Sequence, residues 1–138
     1  MSILQKICLG YFVALMIAAS LNYIPGLTDE QGLAFGIFAL DIFDDSLHVA
    51  SAIWAIVSAF TSHKASKFFL IVFGALYLFD GVFGFFTGYG YLDLGIFTNG
   101  SDGLSFTFLR LAANVPHLAL GGFALFAGLK LDLSLIHI

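Results

Sequence analysis

The stretch that decides the fold covers residues 47–87: LHVASAIWAIVSAFT at 47–61, SHKASK at 62–67 and FFLIVFGALYLFDGVFGFFT at 68–87. Two apolar runs flank six residues that carry two lysines and a histidine. A helix needs about 20 largely apolar residues to cross the hydrocarbon core of a bilayer. The second run meets that length with Asp80 as its one charge. The first run is shorter, and the apolar residues 33–40 ahead of it are expected to dip toward the membrane. A helix that is apolar all round has no face to offer to water. Both runs therefore read as membrane spans joined by a tight basic turn.

Working outward, residues 7–24 form a further apolar run that stops at Pro25-Gly26, and residues 106–129 form a fourth. The composition agrees with membrane residence. Of 138 residues, 60% are hydrophobic and 10% are charged, and 17 are Phe. Soluble domains carry about 25% charged residues. These values exclude a soluble enzyme and a nucleic-acid binder, which needs a basic patch. The single cysteine, Cys8, excludes a disulfide scaffold. It reads as a small apolar residue near one membrane surface.

The basic residues set an orientation. Lys6 precedes the first span, Lys64 and Lys67 lie in the turn between the second and third, and Lys130 follows the fourth. The two longer loops hold Asp29, Glu30, Asp41, Asp44, Asp45, Asp93 and Asp102, with Arg110 beside them. The expected topology is four spans with both termini in the cytoplasm. The first run has the small residues Ala18-Ala19-Ser20 of a cleavable signal peptide. Its likeness to the third run predicts a retained span instead.

That likeness extends to an internal repeat. Gly10 opens a run to Pro25-Gly26, and Gly74 opens a run to Tyr89-Gly90. A loop with Gly36-Ile37-Phe38 or Gly95-Ile96-Phe97 follows each. Then come Asp45-Ser46-Leu47-His48 in one half and Asn114-Val115-Pro116-His117 in the other. The expected fold is all-α: a four-helix transmembrane bundle made of two parallel helix–loop–helix repeats, about 6–63 and 67–130, within one domain at 1–132. The apolar loops are expected to form short helices or hairpins at the outer interface, where Tyr is favoured.

The order of span, loop, polar-x-x-His, span and basic turn, with Asn114-Val115-Pro116-His117-Leu118 followed by Gly121-Gly122, resembles an uncharacterised prokaryotic family of four-helix membrane proteins, domain of unknown function 4383. The resemblance covers residues 6–129. Asp45 stands in the first half where the family pattern has Asn. The resemblance implies the fold and a membrane location, and no activity. The tail at 133–138 has no counterpart in the repeat and resembles translated adapter sequence rather than native chain.

Ionisable residues within a span are costly and mark functional candidates. At 1.5 Å per residue, Asp80 lies about 20 Å beyond Lys67, and His117 about 20 Å before Lys130. His48 lies about 22 Å before His63, and Asn22 about 24 Å past Lys6. One polar layer in the outer third of the membrane is expected, built from Asn22, Asp45, His48, Asp80, Asn114 and His117.

Three readings of that layer compete. In the first, interhelical polar bonds fix the register of the bundle. In the second, His48 and His117 ligate a haem or pigment, with Ala52 and Gly121 four residues on leaving clearance for a flat macrocycle. In the third, Asp80 with a histidine moves protons. Zinc is disfavoured, because it wants four ligands. No metal ligands and no catalytic residues are nominated.

Several features read as packing. Gly81, Gly84 and Gly88, with Ala14 and Ala18, suit close helix contacts. Pro116 should kink the fourth span. Trp54 is expected to face lipid or a protein contact. Asn99-Gly100-Ser101 is a glycosylation sequon. The leading expectation is a non-enzymatic structural or accessory subunit of a larger membrane complex. Its partners would be the lipid bilayer and other membrane subunits or further copies of itself.

Overall fold

The computed structural model describes residues 1–30, 42–87 and 108–131. Among them are four α-helices and no strand. Helix α1 covers Ile3–Ser20 and runs into a single 3-10 turn at Leu21–Tyr23. Helix α2 covers Ile42–Thr61, α3 His63–Thr87 and α4 Phe108–Lys130. Most of both long loops, with residues 33–40, the sequon and the tail at 133–138, lies outside the described residues.

Local chemistry sets the helix ends. Ser2 caps α1 through a capping box: its Oγ accepts from Gln5 N at 3.3 Å, and Gln5 Oε1 accepts from Ser2 N at 2.8 Å. After the 3-10 turn, Pro25 cannot continue a helix and Gly26 takes φ 88°, a value that favours glycine. One residue, Ser62, separates α2 from α3, and its Oγ accepts from Ala65 N at 2.9 Å. The starts shift from expectation. Helix α2 begins five residues before residue 47, because Ile42 and Phe43 extend the apolar run and Asp44 and Asp45 suit a first turn. Helix α3 begins at His63, since Ser62 caps it there. Helix α1 stops at Ser20 rather than residue 24. Helix α4 passes through Pro116 as one helix.

Two of these helices are long and apolar enough to cross a membrane, at Ile3–Ser20 and His63–Phe86. Helices α2 and α4, of 20 and 23 residues, have the length.

Helix α1 packs chiefly on α2, and α3 chiefly on α4, each pair antiparallel. The α2–α3 turn and the ends near Gln5 and Lys130 form one end of the bundle, called the turn end. The opposite end is the loop end. Buried positions 4, 8, 11 and 15 make one stripe on α1, and 69, 70, 73 and 77 one on α3. Large residues on these stripes face small ones: Ala52, Ala55 and Ala59 on α2, and Ala124 and Ala127 on α4. Big-against-small packing lets the axes approach, which is how helices associate where lipid is as apolar as the protein. Phe69, Phe73 and Tyr77 stack in a column with centroids 4.9 and 4.0 Å apart, and Tyr11 meets Phe73 edge-on at 5.3 Å. Trp54 is half-buried and meets Phe69 edge-on at 4.8 Å, so its contact is with protein.

The closest approach is between α3 and α4. A Cβ at Gly121 would lie 2.2 Å from Leu78 N and 2.8 Å from Gly74 O. A Cβ at Gly74 would lie 2.5 Å from Leu125 N. The two backbones touch at this point, so no side chain fits between them.

Candidate functional polar layer

Residues one helical turn apart share a face, and this aligns the polar groups of three helices at one level. Helix α2 contributes Asp45, His48 and Ser51, α3 contributes Tyr77 and Asp80, and α4 contributes Asn114 and His117. The Gly74–Gly121 contact lies one turn below and fixes the α3–α4 register. Asp80 is 2% exposed and His48 is 5% exposed.

The bonds run across helices. His117 Nδ1 bonds Asp80 Oδ2, joining α4 to α3. A carboxylate oxygen only accepts, which assigns the hydrogen to Nδ1 and leaves Nε2 for the rest of the layer. The His48 ring meets the His117 ring edge-on, with centroids 6.2 Å apart, joining α2 to α4. Tyr77 lies under His117 at 5.1 Å between centroids. Its hydroxyl pairs with Ser51 Oγ at 3.1 Å, joining α3 to α2. Asn114 fills the space over Gly84, where a Cβ would lie 2.2 Å from its Oδ1.

Of the residues expected in the layer, the fold brings Asp80, His48 and His117 together, and sets Asn114 one turn above on α4. Asn22 lies in the 3-10 turn, and its side chain is outside the described residues. Asp45 sits one turn from His48, nearer the loop end, at 5% exposure. Among the described residues, no contact of full hydrogen-bond geometry reaches either Asp45 oxygen. The exposed Tyr23 phenol is held above its ordinary value by its hydrogen bond toward the Asp45 carboxylate and then by that group's charge. Asp44 is also buried in the first turn of α2.

Tyr77 and Ser51 join the network beyond the residues expected in the layer. Their signal was spacing: Tyr77 precedes Asp80 by three residues, and Ser51 follows His48 by three.

Below the layer, the Phe73, Phe69, Tyr11 and Leu15 side chains are almost wholly buried. A second polar set occupies the turn end. Ser66 Oγ donates to Ser58 O at 3.0 Å, Cys8 Sγ donates to Ser66 O at 3.7 Å and Gln5 Nε2 donates to Ala59 O at 2.9 Å. His63 Nδ1 pairs with Ser2 Oγ at 2.7 Å. The aromatic column separates the two polar sets.

No protein-family model, curated protein or solved structure matches the chain. The site must be read from its own geometry. The paired histidines suit axial ligation, but the expected clearance does not survive. Gly121 faces the α3 backbone and Ala52 is fully buried. A macrocycle lying against Gly121 would have to part α3 from α4. A pocket of about 210 Å³ opens beside the layer between α2 and α3, reaching Ser51 and Tyr77. Ligand sites usually span about 300–1,000 Å³. Among the described residues no group of three or more His, Cys, Asp or Glu is arranged to hold a metal ion. What the geometry does supply is a set of cross-helix bonds that pin α2, α3 and α4 at one level.

Proposed function

We propose that this chain is a multi-pass membrane protein with four spans, acting as a non-enzymatic structural or accessory subunit of a larger membrane assembly. The observation that carries this reading is the outer surface. Ile17 on α1 is 56% exposed, Ile53 on α2 57%, Phe79 on α3 59% and Phe126 on α4 52%. Large apolar side chains on all four helices require lipid or a partner around the whole bundle. Phe60 and Phe68, 68% and 62% exposed, flank the α2–α3 turn and offer an aromatic ledge of the kind enriched in protein interfaces. The cross-helix bonds of the polar layer support a structural role for His48, Asp80 and His117.

The proposed orientation puts both termini in the cytoplasm. Lys6, Lys64, Lys67 and Lys130 gather at the turn end, as cytoplasmic ends do. The pairing of α1 with α2 and of α3 with α4 supports a reading as two helix–loop–helix repeats, the pattern behind the resemblance to the uncharacterised four-helix membrane family.

Native mass spectrometry of the gently extracted protein tests the accessory role. Co-released larger subunits are expected. A bare chain or a homo-oligomer overturns that role. Labelling of single cysteines placed at Asp29 and Lys64 tests the topology separately. Access from opposite sides is expected, and access from one side overturns the four-span reading.

A further inference from the structure

The most heavily buried ionisable groups of the layer pose a question that bundle packing leaves open. A charged carboxylate in apolar surroundings is unfavourable unless it is paired. Asp80 has His117. Asp45 is 5% exposed, no contact of full hydrogen-bond geometry reaches its oxygens among the described residues, and the group that approaches it is the exposed Tyr23 phenol. A buried carboxylate beside a phenol that is open to solvent can take up and release a proton there.

We propose that Asp45, His48, His117 and Asp80 form a proton-binding site that fills from the loop end and is closed toward the turn end. Asp45 is the receiving group. It lies three residues before His48 on the same face of α2, with exposed Tyr23 near it at the loop end. His48 is the carrier, since an imidazole accepts a proton on one nitrogen and releases one from the other. The edge-on approach of His48 to His117 gives it a recipient. The proton rests at His117, because the imidazolium then stands against the Asp80 carboxylate it already bonds.

The balance is simple. A hydronium ion at the loop end becomes water and protonates the Asp45 carboxylate. Asp45 passes that proton to one His48 nitrogen, and His48 gives up the proton of the other to His117 Nε2. Asp45 returns to its carboxylate, His48 is left as its other tautomer until its ring turns over, and the layer has gained one positive charge.

The groups facing the site come from every element around it: Asp44, Asp45, His48 and Ser51 on α2, Tyr77 and Asp80 on α3, Asn114 and His117 on α4, and Tyr23 after α1. Arg110 stands in the first turn of α4, with its side chain outside the described residues. The described lysines lie at the turn end. Onward passage is blocked by the column of Phe73, Phe69 and Tyr11. The site therefore loads and unloads from one side.

The inference goes beyond the accessory role and can fail independently of it. The test is infrared difference spectroscopy of the full chain in lipid nanodiscs after a rapid acid step, with isotope-labelled histidine. One imidazolium is expected to form. Asp45→Asn should slow its formation at least tenfold and leave its final amount unchanged, whereas Asp44→Asn should stay within twofold of the wild-type rate. His117→Gln should abolish the signal, with helix content checked by circular dichroism. An unchanged rate in Asp45→Asn overturns the proposal. So does loss of the end point in that variant with helicity retained, because a purely structural Asp45 would act that way. In vesicles of one orientation, loading must follow acid on the loop side. Equal rates from both sides also overturn it.

Discussion

The contact between α3 and α4 allows a sharp test on two adjacent residues. Gly121→Ala would place a Cβ 2.2 Å from Leu78 N and 2.8 Å from Gly74 O, and both neighbours are backbone. Comfortable contact starts at 3.4 Å. The helices must therefore part by about 1 Å, and a packed interior does not absorb that by rotamer changes. Overpacking typically costs about 1–3 kcal/mol, and a backbone clash belongs at the upper end, about 3 kcal/mol. The Asp80–His117 bond lies one turn away and is strained by the same separation. Gly122→Ala meets nothing within 4 Å. There alanine only replaces a poor helix former, a gain of about 1 kcal/mol. The expected result in detergent micelles is a fall in Tm of roughly 10 °C for Gly121→Ala and a rise of roughly 3 °C for Gly122→Ala. Circular dichroism and Trp54 fluorescence both report it. Equal shifts of one sign in the two variants would refute the packing of α3 on α4 described above.

Three further outcomes are expected. His117→Ala should lower stability by about 1–2 kcal/mol in a thermal scan, the upper part of the range for interhelical polar bonds in membranes. Asp80→Asn, which keeps the shape, should lose less. Ser2→Ala removes the capping box and the partner of His63, and should cost about 1 kcal/mol, read as faster hydrogen exchange in the first turn of α1. The Asp45 charge disfavours the Tyr23 phenolate, so Asp45→Asn should make Tyr23 ionise at lower pH. Ultraviolet titration against a Tyr23→Phe background measures it, and an unmoved phenol would remove Asp45 from the neighbourhood of Tyr23.

The legibility of this chain in its sequence was uneven, for physical reasons. The apolar run at 68–87 was readable as helix, because it has no competing signal. The start of α2 was misjudged by five residues. Asp44 and Asp45 look like the end of an apolar run, yet a helix N-terminus is where carboxylates are favoured. The polar layer was readable as a depth, since rise per residue is fixed. Its membership was readable only in part. Tyr77 and Ser51 belong to it through spacing that matters only once helix faces are known.

The sequence by itself determined the helical class, the apolar character and the common level of Asp80, His48 and His117. These follow from composition, run length and helical rise, which are local properties. The tertiary structure decided which groups meet. It gave Asp80 to His117 and Ser51 to Tyr77, set Asp45 beside Tyr23, and turned Gly121 from apparent clearance into the point where two backbones touch. Rotation of each helix about its axis sets these pairings. That rotation is fixed by packing all four helices at once, and no single run of residues encodes it.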